Sequence, residues 1–291
     1  MGTVKMRVWD VKHGSAIFIQ TPNNRVHVID LGRGDYSENS DDRSPLETIK
    51  NHYRLSTINH LTITHPHKDH IDDILSLDRL GIEVEVLLRP KWLSRGDVSG
   101  TIRSADQAKF DKYFSLNDGY NVDVTGTSSD VHISSNTGGV KFEHFSTATL
   151  PKNNFNNHSI VTVMKYEGVT IVIPGDNEYD SLEELMQDTS FKTAISNCDI
   201  LIAPHHGRES AYHSGFVSTA NPRLTIISDG SICDTSANSK YSQASRGWDI
   251  WKGQNQQKRY LLTTNTDGEI YIDFGKNPNE DNAFLQVEIK S

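Results

Sequence analysis

Residues 65–70 read His65-Pro66-His67-Lys68-Asp69-His70, which places three imidazoles and a carboxylate within one short stretch. Imidazole nitrogen suits zinc, iron, nickel and copper, and a carboxylate widens the choice toward manganese. Neither cysteine of the chain is close by, so a cysteine-based structural zinc site is excluded here. The spacing allows two ions. His65 and His67 can face one ion while Asp69 and His70 face another. Two ions about 3.5–4 Å apart clamp both the attacking and the leaving oxygen of a hydrolytic displacement.

Two elements must position these side chains. Residues 60–64 read as a buried strand, and residues 71–80 place apolar side chains at helical spacing. The motif therefore sits on a loop from a strand end to a helix start, the context in which such a motif carries weight. Asp72 and Asp73 read as carboxylates at that helix start, and residues 45–58 suggest a further helix before the strand.

His-x-His-x-Asp-His after a strand is the signature of the metallo-β-lactamase-fold hydrolases, and the chain resembles them. Within that superfamily it is most similar to the soluble hydrolase domain of ComEC-type competence proteins. The likeness runs in order over nearly the whole chain. Asp10-Val11-Lys12-His13-Gly14-Ser15-Ala16 resembles the opening D-V-G-x-G-D/S-A turn, with Lys12-His13 as a departure. Val28-Ile29-Asp30-Leu31-Gly32 resembles the early strand ending in Asp and Gly, and Asn156-Asn157-His158-Ser159-Ile160-Val161 the N-N-x-S-L-V segment. Ile173-Pro174-Gly175-Asp176 resembles the T-G-D segment. Leu201-Ile202-Ala203-Pro204-His205-His206-Gly207 resembles K-V-x-H-H-G, the most specific marker of this branch, and residues 264–270 resemble the closing hairpin. Relatives usually carry N-x-Y-G-H-P after the strand at 224–228. Here the chain reads Asp229-Gly230-Ser231-Ile232-Cys233-Asp234 without a His-Pro pair, which argues against carrying over the substrate of the competence nucleases.

The resemblance implies an α/β fold: a four-layer αββα sandwich of mixed β-sheets whose two similar halves share one cleft. It also implies further site residues. Asp176 would bridge the two ions. One of two adjacent histidines would complete the second site; His205 is the expected ligand, leaving His206 to hydrogen-bond a ligand or a substrate phosphate. The first site needs a third imidazole. His158 is either that ligand or a neighbour of one, with the Asn157 carbonyl oxygen as the alternative donor. Asp30 would orient a histidine of the loop by accepting its N–H. Lys68 lies where it can meet an anionic substrate. Asp69 can also accept a proton from the attacking hydroxide. The expected cofactors are two divalent ions, zinc or manganese. His13, His27, His52, His60, His132, His144 and His213 have no ligand spacing and read as structural or surface residues.

Composition bounds the rest. The chain has 291 residues and a net charge of −9, which does not suit a protein that coats duplex DNA. Basic residues interleave with tryptophans at Arg89, Lys91, Trp92 and Arg95, and at Arg246, Trp248, Trp251, Lys252, Lys258 and Arg259. Such groups can hold a single strand, but the reading favoured is ordinary solvated faces around core tryptophans. Residues 35–42 form an acidic loop. No apolar run is long enough to span a membrane and no signal-peptide core opens the chain, so a cytoplasmic protein is expected. Cys198 and Cys233 fit a reducing compartment. One domain is expected over 1–291, with a polar insertion at about 94–136 placed over the site and a mobile stretch at 125–139.

Three functions follow. The first is a phosphodiesterase or nuclease using a metal-bound hydroxide on DNA, RNA or a small cyclic nucleotide. The second is a hydrolase of a lactam, lactone or thioester. The third is a metal-stabilised, non-enzymatic component of a multi-protein assembly. A polymer substrate calls for a basic groove, and a small nucleotide for a pocket roofed by the insertion.

Overall fold

The computed structural model describes residues 2–33, 44–230, 234–277 and 282–290. The acidic loop at 35–42 and Cys233 lie outside them. In chain order the strands are Thr3–Val8 (β1), Ile17–Gln20 (β2), Val26–Ile29 (β3), Thr57–Thr62 (β4), Glu83–Leu88 (β5), Lys141–Phe145 (β6), Val161–Tyr166 (β7), Val169–Ile173 (β8), Ile200–Ile202 (β9), Leu224–Ile227 (β10), Trp248–Lys252 (β11), Asn255–Arg259 (β12), Leu261–Thr263 (β13), Ile270–Lys276 (β14) and Ala283–Ile289 (β15). They form two mixed sheets, ordered β12-β11-β15-β14-β1-β2-β3-β4-β5 and β13-β10-β9-β8-β7-β6.

The layering follows from side-chain alternation. Val4, Met6 and Val8 of β1 and Ile270, Ile272 and Phe274 of β14 point to one face, where they meet Met164, Ile171, Ile173, Ile200 and Ile202 of the second sheet. Phe18, Val28 and Leu61 point the other way, onto Leu46, Ile49, Phe110 and Tyr113 of the helical segments. Val163, Val172 and Leu201 likewise meet Leu182, Phe191 and Phe216 of helices on the far side. Each of these buried side chains contributes roughly 1.5–3 kcal/mol. The result is the four-layer αββα sandwich of mixed sheets expected from the sequence.

Local structure departs from the expected helices in two places. The helix expected over 45–58 is a short turn, Pro45–Glu47, capped by Ser44 and continued as a π-helical turn over Thr48–His52. The helix expected over 71–80 is broken into Lys68–Ile71 and Ser76–Leu80. Asp73 stabilises the break. Its buried carboxylate accepts from Leu46 N at 3.0 Å and from Ser76 Oγ at 2.7 Å, rather than facing a helix terminus.

The insertion is less solvent-facing than its composition implies. Helix Gln107–Gly119 buries Phe110, Tyr113 and Phe114 against the first sheet. The following stretch ties itself down: Asp130 accepts from Gly126 N at 2.9 Å and His132 N at 3.0 Å, and Asn136 Nδ2 donates to Thr127 O and Asp130 O. These bonds replace the mobility expected for 125–139 with a set of locked turns.

Four histidines that lack ligand spacing meet across the sandwich. Phe142, His27, His60 and His144 form a column of stacked rings, closed by His132, whose Nε2 is 3.0 Å from His144 Nδ1. Burial, with help from neighbouring imidazoles, holds His27 and His144 well below the ordinary imidazole range and takes His60 down to about 4. In the unfolded chain these rings take up protons near pH 6.5, whereas folded they resist doing so. Stability is therefore unaffected above that pH and is lost as pH falls below it. Urea unfolding at pH 7.5 and 5.5 should show a smaller acid loss for His60→Phe than for the unmodified chain. Equal losses would remove the stack from the acid response.

Candidate metal centre

The site forms where strand ends of both sheets converge. From the first sheet, β4 runs into Thr64 and the 65–70 loop. From the second, β8 leads through Pro174-Gly175 to Asp176, and β9 leads to the His205-His206 pair. Close backbone approach is built into the glycines. A Cβ at Gly14 or at Gly32 would lie 2.6 Å from the Asp69 carbonyl oxygen. At Gly175, with φ of +61°, a Cβ would crowd Thr64 and Ser159 at 2.9 Å. Only glycine admits both the left-handed turn and the contact.

Among the described residues, Asp69, His70, Asp176 and His206 offer ligand atoms that all lie within 4.8 Å of one another. Asp176 Oδ2 is central: 3.2 Å from His70 Nε2, 3.4 Å from His206 Nε2 and 4.0 Å from His65 Nε2. Asp69 Oδ2 lies 3.2 Å from His206 Nε2 and 3.8 Å from His70 Nε2. The His65 ring packs against those of His70 and His67 at centroid distances of 4.2 and 4.5 Å. Asp176 Oδ2 thus approaches His65 as well as His70 and His206.

The ring of the pair that enters the cluster is His206, in place of the expected His205. Both residues are left-handed, with φ of 53° and 45°, so neighbouring side chains diverge sharply. His206 Nδ1 lies 2.8 Å from the Ser228 carbonyl, to which it donates, turning Nε2 toward the carboxylates. His205 turns away, with Nδ1 2.9 Å from Glu178 Oε1. Glu178 was not singled out from the sequence; it also accepts from Asn154 and Asn156.

Partners of the outer ring nitrogens orient the other imidazoles. Asp30 Oδ2 is 2.8 Å from His70 Nδ1 and also accepts from Thr64 Oγ1 at 2.9 Å. Ser159 Oγ is 3.2 Å from His65 Nδ1. Asn157 is spent elsewhere: its Oδ1 accepts from Glu178 N at 3.2 Å and Ser181 Oγ at 3.0 Å, which anchors helix Tyr179–Leu185. Lys68 pairs with Asp72 at 3.0 Å. His13, read from the sequence as structural or surface, reaches the mouth of the site, 3.1 Å from Asp229 and 3.5 Å from Asp69. The signal for it was present in Lys12-His13, the pair that departs from the opening turn the chain resembles.

The donor set fits divalent ions. His65 and His158 each leave a buried Nε2 without a hydrogen-bond partner. Such orphaned nitrogens are costly unless a ligand satisfies them. The electrostatics agree. Burial opposes charge on Asp69 and Asp176, yet His70 and His206 hold both carboxyls well below their usual range. Burial likewise opposes charge on the imidazoles, but Asp176 leads the carboxylates in raising His70 well above its ordinary value and His206 to about 10. The carboxylates favour positive charge beside them, and a divalent cation answers the same attraction.

The arginines of the basic and aromatic clusters are occupied internally. Arg89 is buried and donates to the Leu87, Asn117 and Tyr120 carbonyls, Arg95 pairs with Asp111, and Arg259 with Asp267. Trp92 instead meets a buried imidazole, with Nε1 3.0 Å from His158 Nδ1.

No protein-family model matches the chain, and no curated protein matches it in sequence. Several solved structures are similar in shape. CmlA, a diiron β-hydroxylase from Streptomyces venezuelae, is 13% identical with a TM-score of 0.38; 78% of this chain is covered, and it spans only 44% of the hydroxylase. A diphosphatase of the PhnP family is 10% identical with a TM-score of 0.39, covering 78% of this chain and 86% of its own. A candidate metallo-β-lactamase from Thermotoga maritima is 16% identical with a TM-score of 0.35, covering 66% and 85%. At these scores the chemistry of the site rests on its own residues.

Two predictions test the geometry. Metal analysis by mass spectrometry after loading with zinc or manganese should give about one ion fewer per chain for His206→Ala, while His205→Ala keeps the full complement; the reverse pattern would return His205 to the cluster. The second concerns His158 Nδ1, which is 3.0 Å both from the donor Trp92 Nε1 and from the acceptor Thr147 O. A cation on Nε2 requires Nδ1–H, which serves Thr147 and releases Trp92. Tryptophan emission should therefore shift on metal titration, and the shift should vanish in Trp92→Phe. An unchanged shift in that variant would exclude His158 as a ligand.

Proposed function

We propose that the protein is a metal-dependent hydrolase whose substrates are phosphodiesters of nucleic acids or nucleotides. The observation that carries this reading is that the Asp69, His70, Asp176 and His206 cluster opens on a cavity of about 400 Å³ lined by His13, His67, Lys68, Asp69, Arg103, Asp106 and Phe110. A purely structural metal site is closed by its ligands. Here the Asp69 side chain belongs to the cluster and is also 23% exposed. When bound, divalent ions supply Lewis acidity toward phosphoryl oxygens and acidify water.

The protein's own residues set the geometry. Asp30 and the Ser228 carbonyl hold His70 and His206 with their Nε2 atoms toward Asp176. Asp69, at the border of cluster and cavity, is placed to accept a proton from the attacking water. Arg103 supplies a cation to the cavity wall, which favours a phosphate ester over a neutral lactam or lactone. Within this reading the wall contributed by Arg103, Asp106 and Phe110 favours a small nucleotide or a strand end over the middle of a long duplex. Among the described residues no helix is long and apolar enough to cross a membrane.

The test is hydrolysis of bis(p-nitrophenyl) phosphate and of a thioester by protein loaded with zinc or manganese. The diester should turn over, and Asp69→Ala, folded by circular dichroism, should lose on the order of 10³-fold in kcat. Thioester turnover without diester turnover would replace the phosphodiesterase with an acyl hydrolase. No turnover of either, with two ions bound, would favour the non-enzymatic component.

A further inference from the structure

The cavity beside the cluster carries one charge that the protein leaves unanswered. Its lysine, Lys68, pairs with Asp72 at 3.0 Å. Asp72 also meets Lys109, which lies 3.2 Å from Asp106 as well. These two lysines and two aspartates neutralise one another. Arg103 is different. It lines the cavity, it is exposed, and among the described residues its guanidinium has no ion pair and no hydrogen bond. Its backbone is nonetheless held: Asp106 N donates to the Arg103 carbonyl at 2.9 Å, closing the turn Ser104–Asp106. That turn runs directly into helix Gln107–Gly119, which Phe110, Tyr113 and Phe114 anchor in the core. The guanidinium is thus carried by a rigid base in the wall of a cavity that His67 and Asp69 also line.

Fixed at its base and free at its head, an arginine of this kind suits a phosphate, which its planar fork meets with two parallel hydrogen bonds. We propose that Arg103 is the anion anchor of the substrate cavity, so that the preferred substrate carries a second phosphate besides the ester presented to Asp69 and Asp176. This rests on the phosphodiester reading above and adds the substrate class to it. The second phosphate has two sources, the next phosphodiester of a short strand or the terminal phosphate of a small nucleotide. Both offer the same chemistry to the guanidinium.

The experiment compares the metal-loaded unmodified protein with Arg103→Gln on two chromogenic substrates at constant ionic strength. These are the p-nitrophenyl ester of thymidine 5′-phosphate and the same ester bearing a 3′-phosphate. Arg103→Gln should raise KM for the 3′-phosphorylated ester at least fivefold more than for the plain one, with the difference confined to KM. An equal change in KM for both esters would overturn the anchor. Calorimetry on metal-free protein gives a readout independent of turnover: thymidine 3′,5′-bisphosphate should bind more tightly than thymidine 5′-phosphate, and Arg103→Gln should erase that preference. Indifference of the unmodified protein to the second phosphate would also overturn it. If neither ester turns over, the phosphodiesterase reading fails and the calorimetry alone decides the anchor. Competition by the bisphosphate and by a 5′-phosphorylated decanucleotide separates the two sources, the stronger inhibitor marking the small nucleotide or the strand.

Discussion

Two carboxylates and a set of imidazoles share a space from which most water is excluded, and the surrounding structure depends on making that pairing tolerable. Burying an ion without compensation costs several kcal/mol even after relaxation. Asp176 is almost fully buried and Asp30 wholly so, yet each faces an imidazole of His70, one on either side of the ring. His70 thereby links a carboxylate on β3's exit to one on β8's exit, and so joins the two sheets electrostatically at one point. Ser159 does similar work from the backbone side: its Oγ accepts from Asp176 N at 3.1 Å while it meets His65 Nδ1. A change that frees one member leaves the others buried and unpaired, so the cluster behaves as a unit.

The same constraint explains why the backbone is unusual here. Asp30, His205 and His206 all adopt positive φ, which costs a side-chain-bearing residue energy that surrounding contacts must offset. In each case a bond that requires the strained conformation is present: Asp30 to His70 and Thr64, His206 to Ser228, His205 to Glu178. Strain and hydrogen bonding together aim each ring, and the two sheets, packed through Ile171, Ile173, Ile270 and Ile272, supply the rigid frame that holds the strain.

How much of this could be read from the sequence depends on whether a property is local. The residues at 65–70 were legible because ligands close in sequence, after a strand, are constrained to one place. Asp176 was legible from an apolar strand followed by Pro-Gly. The choice between His205 and His206 was not, because it turns on two φ angles and on Ser228 and Glu178, which lie 22 and 27 positions from their partners. Trp92 was visible as a core tryptophan beside basic residues, but its donation to His158 spans 66 positions and leaves no periodic trace. The broken helix after the motif escaped because Asp73 reads as an ordinary helix-start carboxylate, and only the approach of Leu46 N shows where it points.

Polar composition misled most in the insertion. Its serines, threonines, asparagines and aspartates read as solvent-facing, yet they bond to one another and leave few groups over. Lys109, Asp72 and Asp106 satisfy themselves across two elements, as do Asp130, His132 and Asn136 within one. A segment that satisfies its own polar groups can lie beside a charged site without perturbing it. It then contributes only what it leaves exposed. That makes the unanswered charge of Arg103 more informative than the abundance of charge around it, because recognition acts through the groups that internal pairing has not already consumed.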